Sequence, residues 1–204
     1  MTAPIIHLST GDPLPDAERY RIRETVQSGG LLIFPTDTIY GLGCDAFQSD
    51  AIDRIYHLKS RPSDQPFSVH LRSIEDLRRY AEIDDTQWAR IERLLPGPYT
   101  VILVASSEAP PRCVSADGRI GLRAPDSSAY RAVSEAADGP LVGTSVNRSG
   151  QPSLNDPVGI REQFGDDVDL IVTTDIPLSG AGSTVIDLTV TPPVALRGEL
   201  PDDL

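Results

Sequence analysis

Nine short apolar runs alternate with six helical segments along this 204-residue chain, and that alternation limits the fold more than any other feature. The runs at 3–8, 31–35, 66–71, 98–105, 119–124, 141–145, 168–173, 183–189 and 193–197 carry strand patterns. The segments at 15–28, 50–60, 73–80, 84–95, 127–137 and 157–164 carry helical ones. This order predicts an α/β fold: a twisted mixed sheet flanked by helices, in a single domain over 1–204. The length is enough to bury a core. Pro96, Gly97 and Pro98 stop one helix and open the run YTVILVA, which reads as a strand buried on both faces.

Polar residues fall on this frame unevenly. At 100° per residue, Ala51, Ile52, Ile55, Tyr56 and Leu58 form one helical stripe, with Asp53, Arg54 and His57 opposite. Lys59 lies inside the apolar stripe. It is also the chain's only lysine beside 17 arginines, which points to a place where a compact ammonium serves better than a planar fork. A lysine snorkelling at a helix C-terminus gives the same pattern. No acid adjoins Lys59 in sequence, so its removal is expected to leave folding intact. In the strands, Ile120 and Leu122 alternate with Arg119 and Arg123, and Phe67, Val69 and Leu71 alternate with Ser68 and His70. Val194 and Leu196 likewise alternate with Ala195 and Arg197. The polar faces offer Arg, His and Ser, which suits an anionic ligand. His7 and His57 read as surface residues.

Several functions are disfavoured. The net charge of −12 repels polyanions over most of the surface, so phosphate must be met by a local basic patch. No run approaches a membrane span, and the start MTAPIIHLSTGD has neither the basic flank nor the apolar stretch of a signal peptide. A cytoplasmic protein is expected, with Cys44 and Cys113 as reduced thiols, too few for a thiolate zinc cage. No P-loop, dinucleotide fingerprint, nucleophile elbow or HExxH motif occurs. The loops TSVNRSGQPS (144–153) and GAGSTVIDLT (180–189) concentrate hydroxyls, amides and glycines that can hold phosphate or ribose oxygens, or make plain turns.

Seven motifs then occur in one order: PTDTIYGLG, KSRP with PFSVH, LPGPYTVIL, GLRAPD, TSVNRSGQPS, GSTVIDLT and LRGE. Together they resemble the YrdC/TsaC family, the threonylcarbamoyl-adenylate synthases, from about residue 15 to 200. The resemblance implies a large concave basic cleft. It also implies a reaction in which L-threonine, bicarbonate and ATP give threonylcarbamoyl-adenylate and pyrophosphate. Downstream transfer proteins then carry the threonylcarbamoyl group to tRNA, and tRNA itself is a candidate contact. By the same resemblance Thr38, Tyr40, His70, Arg123, Gly143 and Ser183 bind threonine, with Arg123 at the carboxylate. Gly41 and Gly43 bring backbone close to ligand or make a tight turn. Lys59, Arg61, Gln65, Arg119, Ser145, Asn147, Ser153 and Arg197 face ATP, with Lys59 and Arg61 the catalytic pair at the phosphates. Mg²⁺ arrives on the ATP phosphates, with no ligand from the protein. Gln65 stands where the family usually has Asn, Val146 where it has Ala, and Gly198 where it has Pro. The resemblance leads to the expectation of the family's short form, without the extra C-terminal domain of a longer branch. Two other readings stay open: a paralogue with another carbamoyl acceptor, and a non-enzymatic RNA-binding module, which the −12 charge disfavours.

Overall fold

A computed structural model describes residues 2–9, 13–202 and 204. In chain order the elements are β1 (Ile5–Leu8), α1 (Asp16–Gln27), β2 (Leu32–Phe34), β3 (Gly41–Gly43), α2 (Ser49–Lys59), β4 (Ser68–His70), α3 (Leu77–Tyr80), β5 (Ala81–Glu82) and α4 (Asp85–Leu94). There follow β6 (Tyr99–Ala105), a 3₁₀ turn (Pro111–Cys113), β7 (Arg119–Arg123), α5 (Ser128–Ala137), β8 (Leu141–Ser145), α6 (Pro157–Phe164), β9 (Leu170–Thr174), β10 (Thr184–Asp187) and β11 (Val194–Arg197).

The described strands join in one sheet of eleven, ordered β1-β9-β2-β3-β8-β4-β7-β6-β10-β11, with β5 paired to β6. It is mixed: β1–β9, β2–β9, β4–β7 and β6–β10 are parallel, and the remaining pairs are antiparallel. Helix ends follow local chemistry. The Asp84 carboxylate accepts from Gln87 N while the Gln87 side chain accepts from Asp84 N, closing a capping box on α4. Ser127 and Asp156 accept from the third residue on and cap α5 and α6. Ser60, at φ 52°, ends α2 ahead of Pro62.

Successive residues of one strand enter different apolar clusters, as the two-residue period requires. Leu32 and Phe34 pack with Ile22 and Val26 of α1 and with Tyr130 and Val133 of α5. Ile33 instead joins Ile52 and Ile55 of α2, Ile91 and Leu94 of α4, and Val69, Val101, Leu122 and Val142 of the sheet. Helices α1 and α5 cover their face only over the β1 side of the sheet. Among the described residues no helix packs on the same face over β4, β7, β6 and β10, and the cleft opens there.

Three expectations change. The run YTVILVA enters the apolar core on one face only: Val101 and Leu103 join the core, while the other face carries buried Thr100 and half-buried Ile102 toward the cleft and exposed Val104. The segment GLG was read as turn or ligand approach but is strand β3. A Cβ at Gly41 would stand 2.8 Å from the Phe34 ring, and one at Gly43 would stand 1.9 Å from Val142 O. These glycines let β2, β3 and β8 approach one another, and glycine hides a strand from a pattern built on side chains. In β11, Val194 and Leu196 are exposed, since an edge strand here has no core on that face.

Candidate functional site

The uncovered face is the floor of a cavity of about 680 Å³. The two-residue period supplies the floor: Ser68 and His70 from β4, Thr100 and Ile102 from β6, Arg119, Gly121 and Arg123 from β7, Gly143 and Ser145 from β8. Tyr40, Arg61, Ser153, Ser183 and Arg197 complete the wall from loops and from β11. Ten of the fourteen residues picked out in the sequence therefore line one cavity. Thr38, Lys59, Gln65 and Asn147 do not.

Arg123 is buried. One guanidinium nitrogen pairs with the Asp37 carboxylate and donates to Thr38 Oγ1 at 2.8 Å, and its Nε has no partner. Burial pulls its pKa down and Asp37 opposes that pull. Thr38 thus stands behind Arg123 and orients it. Thr36 holds the turn by accepting from Thr38 N and Ile39 N and donating to Ile39 O. His70 lies beside Arg123 in the register. Its Nδ1 is buried without a partner, and burial, then Arg123, lowers its pKa well below the usual histidine value, so the imidazole is neutral.

His70 rests on Gly143. A Cβ there would fall 2.3 Å from Cε1 of the ring, and the ring cannot retreat because Phe34 and Tyr130 meet it edge-on at centroid distances of 6.0 and 5.9 Å. Gly143→Ala should cost about 1–3 kcal/mol, the range for overpacking a core. It should also displace the imidazole from the cavity floor. A thermal melt and a threonine titration check both effects, and an unchanged melt would show that the ring moves freely.

The other arginines divide by partner. Arg119 bonds Asp117 and, at 2.8 Å, Asp187, so its charge is matched by two carboxylates. Asp187 reaches Arg119 from β10, and Asp117 reaches it from the turn that precedes β7. Arg61 and Arg197 have no carboxylate partner among the described residues. Arg61 lies over the Phe67 ring at 5.0 Å, and its Nε is buried without a partner. Burial, then Arg61, lowers the Arg197 pKa, so the two cations feel each other.

Lys59 is buried on the apolar stripe as its helical angle requires. Its ammonium, however, donates to Ser145 O at 2.6 Å, Asn147 Oδ1 at 2.7 Å and Asn147 O at 3.1 Å. All three hydrogens are matched inside the protein, and the expected direct phosphate contact is not prepared in this geometry. Burial, then Arg61, lowers its pKa to about 8. Asn147 is likewise occupied, accepting from Ser145 Oγ at 2.6 Å and donating to Gln151 O at 2.6 Å. The Gln65 side chain is exposed outside the cavity, and its carbonyl accepts from Tyr56 OH at 3.0 Å. His7 and His57 are on the surface, bonded to Thr173 and to Asp53 O. The sequence reading missed Thr100 and Asp37. The lone hydroxyl in YTVILVA and the acid between two threonines were the available signals.

The Sua5/YciO/YrdC family model, described as telomere recombination, matches residues 24–198. The chain is 36% identical over 190 residues to threonylcarbamoyl-AMP synthase of Pyrococcus abyssi, covering 90% of this chain and 56% of that protein. It is 32% identical to a protein of the same name in Marinobacter nauticus, over 81% of this chain and 88% of that one. It is also 32% identical to the uncharacterized protein YciO of Escherichia coli, over 85% of both. The crystal structure of P. abyssi Sua5 complexed with L-threonine superposes with a TM-score of 0.87 at 32% identity, covering 96% of this chain and 57% of that one. The crystal structure of E. coli YciO gives 0.87 at 29%, over 96% and 95%.

Proposed function

Because the chain belongs to the Sua5/YciO/YrdC family, we propose that it is an L-threonylcarbamoyladenylate synthase, a nucleotidyltransferase acting in the cytoplasm for N6-threonylcarbamoyladenosine modification of tRNA. L-threonine, bicarbonate and ATP would give threonylcarbamoyl-AMP, pyrophosphate and water. The observation that carries this reading is a single cavity whose wall holds two arginines without carboxylate partners, Arg61 and Arg197, and whose floor holds a third, Arg123, with an unpaired buried Nε. Such a cavity suits a ligand set bearing a polyphosphate and a carboxylate. Its volume of about 680 Å³ lies within the range of ligand sites. Names borne by the relatives in P. abyssi and M. nauticus support the same substrates.

In this reading Arg123 takes the threonine carboxylate, with His70, Tyr40, Ser183 and Gly143 around the amino acid. Arg61 and Arg197 take the ATP phosphates. Bicarbonate loses water to give CO₂, the threonine nitrogen bonds to its carbon as the amine gives up its protons to solvent, and the resulting carbamate oxygen attacks the α-phosphorus as the bond to pyrophosphate breaks. No side chain need act as nucleophile, so the residues contribute position and charge complementarity. Mg²⁺ would enter as part of the nucleotide substrate, carried on its phosphates. The acyl-adenylate is labile in water, which suits direct transfer to partner proteins. No helix among the described residues is long and apolar enough to cross a membrane.

One second reading is the same cavity serving another carbamoyl acceptor, since the chain is as similar to the uncharacterized protein YciO as to the named synthase of M. nauticus. Pyrophosphate release separates the two. It should require threonine, bicarbonate and a divalent cation together, with threonylcarbamoyl-AMP identified by mass spectrometry. ATP cleavage that is equally fast without threonine would refute the synthase.

A further inference from the structure

Arg197 differs from the paired cavity arginines in what holds it. Arg119 and Arg123 are set by carboxylates. Arg197 is seated on one residue: its Nε donates to Ser183 O at 2.9 Å and an Nη donates to Ser183 Oγ at 3.0 Å. The Ser183 hydroxyl in turn lies 2.9 Å from Thr100 Oγ1. Since Ser183 Oγ accepts from Arg197, its own proton can be given to Thr100, and one consistent chain runs from guanidinium to serine to threonine. Thr100 and Ser183 are 3% and 5% exposed, so the two hydroxyls are shielded from competing water, while Arg197 itself is exposed at the cavity wall.

We propose that Thr100 is a positioning residue that fixes the Arg197 guanidinium for an anionic ligand, acting through the Ser183 hydroxyl. The identity of that ligand as the ATP triphosphate rests on the synthase reading; the positioning does not. Backbone alone fixes Arg197 weakly. It ends β11, an edge strand paired only with β10, and the register between them shifts at Val185 and Ile186. Gly198 follows in a left-handed turn at φ 78°. Thr100, by contrast, sits in β6, which is paired on both sides by β7 and β10. Its branched side chain is stiff at χ1, and the missing side chain of Gly121 leaves room beside its methyl group. The central strand thus lends its rigidity to an arginine on the edge. A guanidinium oriented before the ligand arrives loses less freedom on binding.

Thr100→Val keeps the shape and removes the hydroxyl. It should raise KM for ATP about tenfold, equivalent to about 1.4 kcal/mol, while kcat stays within about threefold. Thr100→Ser should restore the wild-type value. In an Arg197→Met background, Thr100→Val should add no further loss, whereas in an Arg61→Met background its effect should be additive. Inorganic tripolyphosphate binding, followed by calorimetry, gives a readout independent of catalysis and should show the same pattern. A wild type that binds tripolyphosphate but releases no threonine-dependent pyrophosphate would refute the synthase and leave the positioning intact. The positioning is overturned if Thr100→Val binds tripolyphosphate like wild type, if it only lowers the melting temperature, or if its effect is additive with Arg197→Met. A wild type that binds no tripolyphosphate overturns it too.

Discussion

Arg123→Ala should lose threonine binding and destabilise the fold in one step. The Arg123 and Asp37 side chains are 4% and 12% exposed, and they pair with each other. Removing the guanidinium leaves a carboxylate in a site with little water, a change that costs about 3–5 kcal/mol for a buried ion pair. Among the described residues the other donor to the Asp37 carboxylate is Asp126 N, at 3.3 Å. Ligand loss is a separate effect. The unpaired Nε and the fork geometry suit a carboxylate, and losing a charged hydrogen bond costs about 1.5–3 kcal/mol of threonine affinity. Arg123→Ala combined with Asp37→Asn removes the stranded charge and should recover part of the melting temperature without recovering threonine binding. Calorimetry with threonine and with an ATP analogue tests the assignment. Equal losses for both ligands would move Arg123 out of the amino-acid subsite.

Much of this architecture is legible in the sequence because the sheet is built from alternating strands. Val69, Leu122 and Val142 on one parity, with His70, Arg123 and Gly143 on the other, declare the core and the cleft floor before the strands are paired. The Lys59 angle on its helix likewise predicts its burial. What the sequence does not carry is the pairing of polar groups across strands. Asp187 and Arg119 are 68 residues apart, and nothing local announces that they meet. For the same reason the four arginines of the cavity look alike in sequence, although two are neutralised and two are not. Strand β3 was missed for a different reason. Its glycines provide no side-chain period, and the Phe34 ring against both of them, with Val142 O against Gly43, explains why they are there.

Lys59 carries the last test, and the structure changes its expected form. A phosphate-binding lysine could be removed with little effect on folding. Here the ammonium joins the end of α2 to the 145–147 loop through three oxygens, and Ser149 N donates to Lys59 O at 3.0 Å alongside them. Lys59→Ala leaves these acceptors without their donor, at about 1–3 kcal/mol for an unsatisfied group. Ser145 would lose its register at the cavity wall with it, so activity should fall more than tenfold, a loss above about 1.4 kcal/mol. Lys59→Arg keeps the charge, but a planar fork cannot aim three donors at oxygens clustered around one point. It should lose about tenfold in activity and part of the stability. The pH dependence gives an independent sign. With the folded pKa near 8, below the ordinary lysine value of 10.5, the unfolded chain binds more protons between those values. Wild-type stability should therefore rise, relative to Lys59→Met, as pH climbs through that window. Thermal melts of the two proteins across it, beside turnover of both variants, decide the matter: parallel melting curves with wild-type turnover would make Lys59 a bystander.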